Sequence, residues 1–393
     1  MTASPQGFSF AVVNAGFRQT ERADIALIVS SAPAVTAALF TQAAFVAAPV
    51  IVGRNLTCED KPMRAVLINT GQANACTGDA GLRDCRETLR LVAKECKLRE
   101  NEILPASTGV IGARMKMDLW EKAITPLIAK LGQASVEDVA EAMRTTDSFA
   151  KYGGSAVKLR GGTVTLAGVA KGAGMICPNM ATMICVILCD VAITPIQWQA
   201  MFREAVNKTF NRVTVDGDTS TNDTVYGLAN GASGVTLTKE DEPILRDALT
   251  NLLGDLAAML VRDGEGATKV LHIAVTGAKD DADAEKIART VGHSQLVKTA
   301  MYGKDANWGR IVAAIGRSGA GFDPKEVRVS LCGVELFRNE QPTSADFDAL
   351  LKDPLQERDI AVDIHMGDGK GAYTLLASDL THKYVDINAD YRS

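Results

Sequence analysis

Thr182 stands between a glycine-rich loop and a long apolar run, where a hydroxyl group could act as a nucleophile. The sequence reads KGAGMICPNMAT up to this residue and MICVILCDVAI after it. A threonine hydroxyl is a weak nucleophile and needs a neighbouring base. A β-branched residue that enters a strand, however, needs no function to explain it. Residue type alone therefore leaves two interpretations of Thr182 open, a strand former and a nucleophile.

Four further loops are rich in glycine and hydroxyl residues: NTGQANACTG (69–78), STGVIG (107–112), TVDGDTSTND (214–223) and DGEGATK (263–269). Such loops expose backbone N–H groups, which bind anions and oxyanions. Each loop alone is more often a turn, but together they favour a shared site. We interpret their acidic residues as turn and cap formers rather than catalysts, namely Asp216, Asp218, Asp223 and Asp263.

Several other kinds of site are excluded or unsupported. The chain contains neither GxSxG nor GxxxxGK[ST], which argues against a nucleophile elbow and a Walker-type phosphate loop. GDGKGA (367–372) is followed by strand-like YTLLAS instead of a helix, which argues against dinucleotide binding. The eight cysteines form no CxxC pair, so we expect reduced thiols and no metal site. A net charge of -5 disfavours nucleic acid as a partner.

The hydrophobic pattern predicts an α/β or α+β protein with helices covering its sheets, and the length of 393 residues favours two lobes. Polar residues and prolines interrupt the uncharged stretch 25–53, so we expect a pair of buried strands there and no membrane span. Helices are predicted at 81–97, after a capping box at Ser135, after Thr194-Pro195 and at 244–262. A hairpin is predicted at 156–170, turning at Gly161-Gly162, and a fully buried strand after Thr182.

Several long segments together resemble one family, the self-cleaving glutamate N-acetyltransferases of arginine biosynthesis, also called ornithine acetyltransferases. They are KGAGMICPNMATMICVILCDVAI, TVDGDTSTNDTV, DGEGATK, KDANWGRI (304–311) and the C-terminal YVDINADYRS. The match runs from ALFTQAAFVAAPV to the last residue in the family's order. The fold implied is a set of sheets layered between helices in an N-terminal-nucleophile-hydrolase-like arrangement, with Thr182 starting a buried strand.

The resemblance implies self-cleavage between Ala181 and Thr182, giving an α chain (1–181) and a β chain (182–393) that associate as an α2β2 heterotetramer. Thr182 would then carry an acetyl group from N-acetylornithine to glutamate. Its new α-amino group, with a pKa of about 7.7–8.0, would serve as the base. We expect a cytoplasmic enzyme, since the N-terminus lacks the basic region of a secretion signal. The resemblance implies no cofactor. Some relatives also use acetyl-CoA as donor, and no motif decides whether this one does.

The resemblance also assigns roles to individual residues. Thr108 and Gly109 would form the oxyanion hole, Lys171 would face a substrate carboxylate and Glu265 could meet an ammonium. The implied substrate-binding set is Thr145, Lys171, Thr182, Glu265, Asn388 and Ser393. Thr145 adjoins a second candidate, Thr146. Two departures from the family are Ser393, where a threonine is common, and Gln72, where an asparagine is common. Trp308 is expected to be a packing residue.

Two rival interpretations remain. A self-cleaving aminopeptidase or amidase of the same superfamily would pass its acyl group to water instead of to an amine. A non-catalytic small-molecule binding protein would use Thr182 only as a strand residue. The second rival predicts an uncut chain.

Overall fold

The structure is a computed structural model that describes residues 4–18, 21–58, 61–177, 183–344 and 346–389. Three predicted site residues, Ala181, Thr182 and Ser393, lie outside the described residues. The chain divides into two compact units. The first comprises Met1–Asn211 and Thr219–Leu260, and the second comprises Arg212–Asp218 and Val261–Ser393.

Strands and helices are interspersed along the chain, as the sequence pattern predicts. The strands are β1 (Phe8–Val13), β2 (Ile25–Phe40), β3 (Met63–Asn69), β4 (Ile103–Ser107), β5 (Lys151–Leu159), β6 (Gly162–Lys171), β7 (Ile184–Cys189), β8 (Val213–Thr214), β9 (Thr224–Ala229), β10 (Val270–Ala278), β11 (Arg328–Leu331), β12 (Val334–Arg338), β13 (Gln341–Pro342), β14 (Asp359–His365) and β15 (Gly371–Ser378). The helices are α1 (Ala48–Thr57), α2 (Gly78–Cys96), α3 (Met117–Ala129), α4 (Val136–Met143), α5 (Pro195–Lys208), α6 (Glu242–Arg262), α7 (Asp281–Gly292), α8 (Gln295–Tyr302), α9 (Trp308–Gly316), α10 (Phe347–Leu351) and α11 (His382–Ala389).

The first unit is built on one sheet with the strand order β4-β3-β2-β9-β7-β6-β5, and β1 pairs with β2. Side chains that alternate along a strand point to opposite faces, and both faces of this sheet are covered. Ile25 and Leu27 of β2 pack in a core with α1, α2 and α3. Ala26 and Ile28 pack in a second core that includes α4. The expectation of a sheet layered between helices is confirmed for this unit.

The strand predicted after Thr182 is β7, and all six of its residues are buried. It pairs parallel with β9 and antiparallel with β6, so it lies inside the sheet with neighbours on both sides. An uninterrupted apolar run suits such a position because neither face meets water. Full burial of each aliphatic side chain contributes about 1.5–3 kcal/mol.

The stretch 25–53 differs from its prediction. Instead of two strands it forms the single long strand β2 and the start of α1, which has Pro49 in its first turn. Proline suits that position because the first N–H groups of a helix have no partner within the helix. β2 pairs with one strand along its first part and with another along its second part. It pairs with β3 as far as Ala34, with a register shift after Val29, and with β9 from Val35 onwards.

Most other sequence predictions of secondary structure are confirmed. Helix 81–97 is α2, and its C-cap residue Lys97 is left-handed with φ 55°. The Ser135 capping box opens α4, and the Thr194 hydroxyl caps α5 by accepting from the Gln197 N–H. The predicted hairpin is β5-β6, which turns before Gly162. Helix 244–262 is α6.

The second unit has its own sheet, in the order β13-β12-β11-β14-β10-β15-β8. Helices α7, α8 and α9 share a buried core with β10, β11, β14 and β15. Other side chains of β10, such as His272 and Thr276, are exposed. Trp308 at the start of α9 stacks on Phe337 with ring centroids 5.5 Å apart, which confirms its predicted packing role. GDGKGA leads into strand β15, as its sequence predicts.

No helix in the described ranges is long and apolar enough to cross a membrane. Seven of the cysteines are free thiols, namely Cys58, Cys76, Cys85, Cys96, Cys185, Cys189 and Cys332. Burial raises the pKa of the Cys85 and Cys189 thiols to about 12, so these thiols stay protonated at neutral pH and are poor nucleophiles.

Candidate active site

The upstream end of β7 is flanked by two predicted site segments. Lys171, the last residue of β6, pairs with Ile184, the first residue of β7. On the other side, Ile184 pairs with Thr224, the first residue of β9. The loops KGAGM and TSTND thus meet β7 from opposite sides, at the end nearest in sequence to Thr182.

Lys171 contacts the predicted oxyanion loop. Its Nζ donates to Oγ1 of Thr108 over 3.2 Å. The backbone N–H of Thr108 is already used, because it donates to the Asn69 carbonyl over 3.0 Å. The Thr108 hydroxyl and the Gly109 N–H therefore remain as the candidate oxyanion donors. Because Thr108 Oγ1 accepts from Lys171, the hydroxyl proton of Thr108 points away from Lys171. The bond from Lys171 also polarises this O–H group.

Gly109 can only be glycine in this backbone. Its φ is +136°, a region that residues with a Cβ rarely adopt. A Cβ would also lie 2.4 Å from the Gly71 carbonyl carbon and 2.5 Å from the Gln72 nitrogen. The close approach holds the two glycine-rich loops, 69–78 and 107–112, backbone against backbone.

Buried amide side chains hold these loops in place. Nδ2 of Asn222 donates to the carbonyls of Ala73 (2.6 Å) and Ser107 (2.9 Å). The Ser107 hydroxyl donates to Oδ1 of Asn69 over 2.7 Å, and Nδ2 of Asn69 donates to the Gln72 carbonyl over 3.0 Å. Removing one partner of such a bond leaves a buried polar atom unpaired, which costs about 1–3 kcal/mol.

Gln72, one of the two departures from the family pattern, is buried in this network. Its Oε1 accepts from the Lys116 N–H over 3.1 Å. Its Nε2 is buried and has no hydrogen-bond partner among the described residues. The longer side chain is therefore accommodated with one donor unsatisfied.

A buried ion pair beside Lys171 was not predicted from the sequence. Asp147 and Lys151 have fully buried side chains, and their Oδ1 and Nζ atoms are 2.7 Å apart. Asp147 Oδ1 also accepts from the Gly172 N–H over 2.7 Å. Asp147 thus fixes the backbone immediately after Lys171. The available signal was the i, i+4 spacing of Asp147 and Lys151 beside Thr145.

The charge state of Asp147 follows from its partners. Burial is the largest single influence and acts to raise its pKa. The charges of Lys171 and Lys151, and hydrogen bonds from Lys151 and the Thr145 N–H, together outweigh burial and leave the pKa well below its usual range. Asp147 is therefore a carboxylate at any physiological pH.

Thr145 is positioned by the same carboxylate. Its N–H donates to Oδ2 of Asp147 over 2.9 Å, and its hydroxyl lies 3.4 Å from the same oxygen. Thr146, the alternative candidate, is exposed. In the first unit, hydrogen bonds join Thr145 to Asp147, and Asp147 to the residue after Lys171, which itself contacts Thr108. Among the described residues, none of these hydrogen bonds involves Thr146.

Asp223, interpreted from the sequence as a turn former, is a second buried acid near Lys171. It is 2% exposed, and its Oδ2 is buried without a hydrogen-bond partner in the described part of the chain. Burial, the largest influence, raises its pKa well above the usual value. Hydrogen bonds from Ser220, the charge of Lys171 and a hydrogen bond from the Met183 N–H only partly oppose this.

In the second unit, Glu265 and Asn388, two members of the implied substrate-binding set, contact each other. Asn388 Nδ2 donates to Oε2 of Glu265 over 2.8 Å, and Glu265 is 8% exposed. The loop that carries Glu265 packs tightly on the start of α11, because a Cβ on Gly266 would lie 2.7 Å from the Tyr384 nitrogen. The Thr381 hydroxyl donates to the Gly266 carbonyl over 2.8 Å.

Three predicted site residues, Ala181, Thr182 and Ser393, lie outside the described residues, so their predicted roles stay predictions. Within the described ranges, no group of three or more His, Cys, Asp or Glu side chains is gathered closely enough to hold a metal ion.

Comparison with known proteins identifies relatives along the full length. A family model described as the ArgJ family matches residues 9–393. The arginine biosynthesis bifunctional protein ArgJ of Nitratidesulfovibrio vulgaris is 63% identical over 393 residues, covering 100% of both chains. The protein of the same name from Geobacter sulfurreducens is 44% identical over 394 residues, covering 99% of both. The crystal structure of ArgJ from Bacillus halodurans matches with a TM-score of 0.50 and 38% identity, covering 53% of this chain and 99% of that one.

Proposed function

The chain belongs to the ArgJ family, and on that basis we propose that it is an arginine-biosynthesis enzyme that transfers the acetyl group of N2-acetylornithine to glutamate. The observation that carries the assignment of its site is the contact of Lys171 Nζ with Thr108 Oγ1 over 3.2 Å, beside the first residue of β7. The contact joins a fixed positive charge to a hydroxyl donor at the strand end nearest in sequence to the proposed nucleophile.

The proposed nucleophile, Thr182, is made by self-cleavage. Its hydroxyl attacks the Ala181 carbonyl, and water then hydrolyses the resulting ester. The new α-amino group of Thr182, with a pKa of about 7.7–8.0, is partly neutral at neutral pH and can act as the base. One comparison supports two pieces. The solved Bacillus halodurans chain is matched over 99% of its length by 53% of this chain, a fraction close to that of the proposed β chain, residues 182–393.

The proposed transfer has two half-reactions. In the first, the Thr182 hydroxyl attacks the acetyl carbonyl of N-acetylornithine, its proton passes by way of the α-amine to the departing nitrogen, and ornithine leaves. In the second, the amine of glutamate attacks the acetyl-threonine ester and the hydroxyl is restored. Each half-reaction passes through a tetrahedral oxyanion. The Thr108 hydroxyl and the Gly109 N–H would bind it, and one such donor lowers the barrier by about 2.7–4 kcal/mol.

Substrate recognition is proposed for the residues that the resemblance assigns to it. Lys171 would bind a substrate carboxylate, with Thr145 held close by through Asp147. Glu265, oriented by Asn388, would bind a substrate ammonium. Ser393 would complete the set with its hydroxyl. We also propose that the enzyme is cytoplasmic, assembles as an α2β2 heterotetramer and needs no cofactor.

Intact mass and N-terminal sequencing of the purified protein test the cleavage. We expect two pieces, one of which begins at Thr182, and a single uncut chain for Thr182→Ala. An uncut wild-type chain would support the binding-protein rival. Acetyl transfer from N-acetylornithine to glutamate, measured beside release of free acetate, separates the transferase from a hydrolase. Transfer should dominate, and acetate release that is insensitive to glutamate would support the amidase rival.

A separate assay decides the acetyl donor. The relatives named above are bifunctional by name, and we propose that this protein also acetylates glutamate from acetyl-CoA. The test is formation of N-acetylglutamate from glutamate with acetyl-CoA as the sole donor. Absence of product in an enzyme that is active with N-acetylornithine would contradict this part of the proposal alone.

A further inference from the structure

Tyr384 and Asp216 form a hydrogen bond to which the proposed transfer reaction gives no role. The Tyr384 hydroxyl on α11 donates to Oδ2 of Asp216 over 3.3 Å. The two residues are 168 positions apart in the sequence, but both belong to the second unit. The bond therefore joins a segment from the middle of the chain to helix α11 near the C-terminus.

Asp216 lies on a segment that the second sheet holds in place. The segment begins with β8, which pairs parallel with β15. The hydroxyl of Ser378, the last residue of β15, donates to the Val215 carbonyl over 3.2 Å, and both residues are buried. Oδ1 of Asp216 accepts from the Asp218 N–H over 3.3 Å, which is the turn-forming role predicted from the sequence. The backbone that carries the other carboxylate oxygen, Oδ2, is thus fixed.

The backbone of Tyr384 contacts both sides of the Glu265 site. Its carbonyl accepts from Nδ2 of Asn388 over 3.0 Å, and the same Nδ2 donates to Oε2 of Glu265 over 2.8 Å. Its N–H donates to Oγ1 of Thr381 over 3.4 Å, and the Thr381 hydroxyl donates to the Gly266 carbonyl over 2.8 Å. Tyr384 is therefore connected to the residue that orients Glu265 and to the loop that carries Glu265.

Helix α11 depends on its neighbours for its position. It has eight residues, all of them described, and none of the eight is buried. A helix of this length is marginal on its own in water. The Tyr384 hydroxyl fixes α11 to a segment that the second sheet holds. Without this bond, α11 would be free to shift and to carry the Asn388 amide away from Glu265.

The chemistry of the substrates indicates which ammonium Glu265 would bind. N2-acetylornithine carries one ammonium, on its side chain, because its α-nitrogen is acetylated. Glutamate has a single amino group, which must lose its proton before it can attack the acetyl-threonine ester. A carboxylate that recognises an ammonium therefore suits the acetyl donor and not the acceptor.

We propose that Tyr384 and Asp216 are positioning residues, which hold α11 so that Asn388 and Glu265 recognise the side-chain ammonium of the acetyl donor. This inference rests on the proposed function, because it concerns the recognition of N2-acetylornithine. Both residues act through Asn388 and Glu265, and neither is a catalytic residue.

The test compares the two half-reactions of acetyl transfer in full-length Tyr384→Phe. In such a transfer, kcat/KM for each substrate reports only the half-reaction in which that substrate binds. The loss of one hydrogen bond changes an equilibrium about 5–10-fold. We therefore expect kcat/KM for N2-acetylornithine to fall about 5–10-fold, and kcat/KM for glutamate to change less than about 2-fold.

The ratio of the two kcat/KM values separates positioning from a general loss of structure. Both values come from the same sample, so incomplete self-cleavage or partial unfolding lowers both equally and leaves their ratio unchanged. A wild-type ratio in Tyr384→Phe would overturn the inference. Glu265→Gln removes the proposed carboxylate itself and should lower the ratio further. A wild-type ratio in Glu265→Gln would show that this carboxylate does not select the donor, and would also overturn the inference.

Tyr373→Phe is the matched control for the loss of a tyrosine hydroxyl. Tyr373 lies on β15 in the same unit, and its hydroxyl contacts Arg289 over 3.1 Å and Glu285 over 3.2 Å, both on α7. Tyr373→Phe should keep both kcat/KM values close to those of the wild type. A ratio lowered as far as in Tyr384→Phe would contradict a specific role for the bond to Asp216.

A double-variant comparison tests whether Tyr384 and Asp216 act as a pair. Asp216→Ala should lower the ratio at least as much as Tyr384→Phe, and adding Tyr384→Phe to it should cause no further fall. Losses that simply add would show that the two residues act separately and would overturn the pairing. A wild-type enzyme that transfers no acetyl group from N2-acetylornithine to glutamate would instead refute the proposed function itself.

Discussion

Two buried carboxyl groups of the first unit, Asp147 and Asp223, have opposite charge preferences although both are near Lys171. Asp147 forms a 2.7 Å ion pair with Lys151 and accepts two backbone N–H bonds, and its pKa is lowered. Asp223 has no ion pair within the described residues and one unsatisfied oxygen, and its pKa is raised. Burial acts in the same direction on both.

The difference shows that nearby cations and hydrogen-bond donors, and not the extent of burial, decide in which direction the pKa of a buried acid shifts. Desolvation penalises the ionised form of each group, and only a close cation with well-placed donors reverses that penalty. The paired acid shapes the loop that follows Lys171. The unpaired acid has a raised pKa because burial favours its neutral form. Each can be changed separately, and the predictions below test the contrast from the largest expected effect to the smallest.

The largest effect is expected from breaking the buried pair. Asp147→Ala removes the carboxylate that lies 2.7 Å from the buried Lys151 ammonium, and breaking such a buried pair costs about 3–5 kcal/mol of stability. The double variant Asp147→Ala with Lys151→Met should recover more than 1 kcal/mol of that loss. Urea unfolding of both variants in the Thr182→Ala background, which keeps every chain in one piece, measures the difference. Equal stability of the single and double variants would show that the pair is not coupled.

The next effect concerns the hydroxyl that Lys171 contacts. Thr108→Val removes one proposed oxyanion donor while keeping the shape of the side chain. We expect kcat for acetyl transfer to fall about 10²–10³-fold, or about 2.7–4 kcal/mol, with little change in stability. Thr108→Ser keeps the hydroxyl and should stay within a few-fold of the wild type. A Thr108→Val enzyme with a normal kcat would remove Thr108 from the oxyanion hole.

A smaller effect is expected in the pH dependence of stability. The folded-state pKa of Asp147 is lowered, so its contribution is present above the unfolded pKa of about 3.9 and is lost as pH falls through the lower folded value. The folded-state pKa of Asp223 is raised, so its contribution is full below about 3.9 and is lost as pH rises towards the folded value. One such proton changes stability by at most about 1.4 kcal/mol per pH unit.

Asp223→Asn in the Thr182→Ala background should therefore be less sensitive to rising pH than the Thr182→Ala chain alone. Urea unfolding at pH 5 and pH 8 makes the comparison. If Asp223→Asn leaves the slope unchanged, Asp223 is ionised in the folded protein, and the contrast with Asp147 disappears.

The smallest effect is expected from breaking an exposed ion pair, which serves as the comparison for the buried one. Glu87 and Arg90 on α2 are 2.5 Å apart, but both side chains are more than one-third exposed. Water screens such pairs, and they contribute about 0–1 kcal/mol. Glu87→Gln should change stability by less than about 0.5 kcal/mol in the same unfolding assay. A loss as large as that of Asp147→Ala would contradict the view that burial makes the difference.

Sequence patterns predicted the elements of the fold that depend on local chemistry. The caps at Ser135 and Thr194 and the apolar run of β7 each depend on residues within a few positions, and each is confirmed. The error in 25–53 arose because β2 changes partners after Ala34, and a strand's neighbours are set by the whole sheet. The strand character of the sequence was correct, but its division into two strands was wrong.

Site residues that lie in long sequence motifs were predictable. Those whose role depends on burial in the folded protein were not. Thr108 and Lys171 come from glycine-rich loops that attract attention in the sequence, and the structure places them in contact. Asp147 lies in RTTDS and Asp223 in TSTND, where an acid is most simply a turn former. Their importance depends on burial and on Lys171, which is distant in sequence from Asp147 and Asp223. Nearby residues offer one signal only, the i, i+4 spacing of Asp147 and Lys151.

The strand order of the first sheet has a consequence for the proposed cut at Ala181–Thr182. The strand order is β4-β3-β2-β9-β7-β6-β5. The adjacent inner strands β9 and β7 would come from the downstream fragment, and the strands on both sides of them from the upstream fragment. Their separation would break the backbone ladders β2–β9 and β6–β7 at once. The fragments would therefore resist dilution and part only under denaturing conditions, so proteolytic maturation would yield a two-chain protein that unfolds as cooperatively as its one-chain parent.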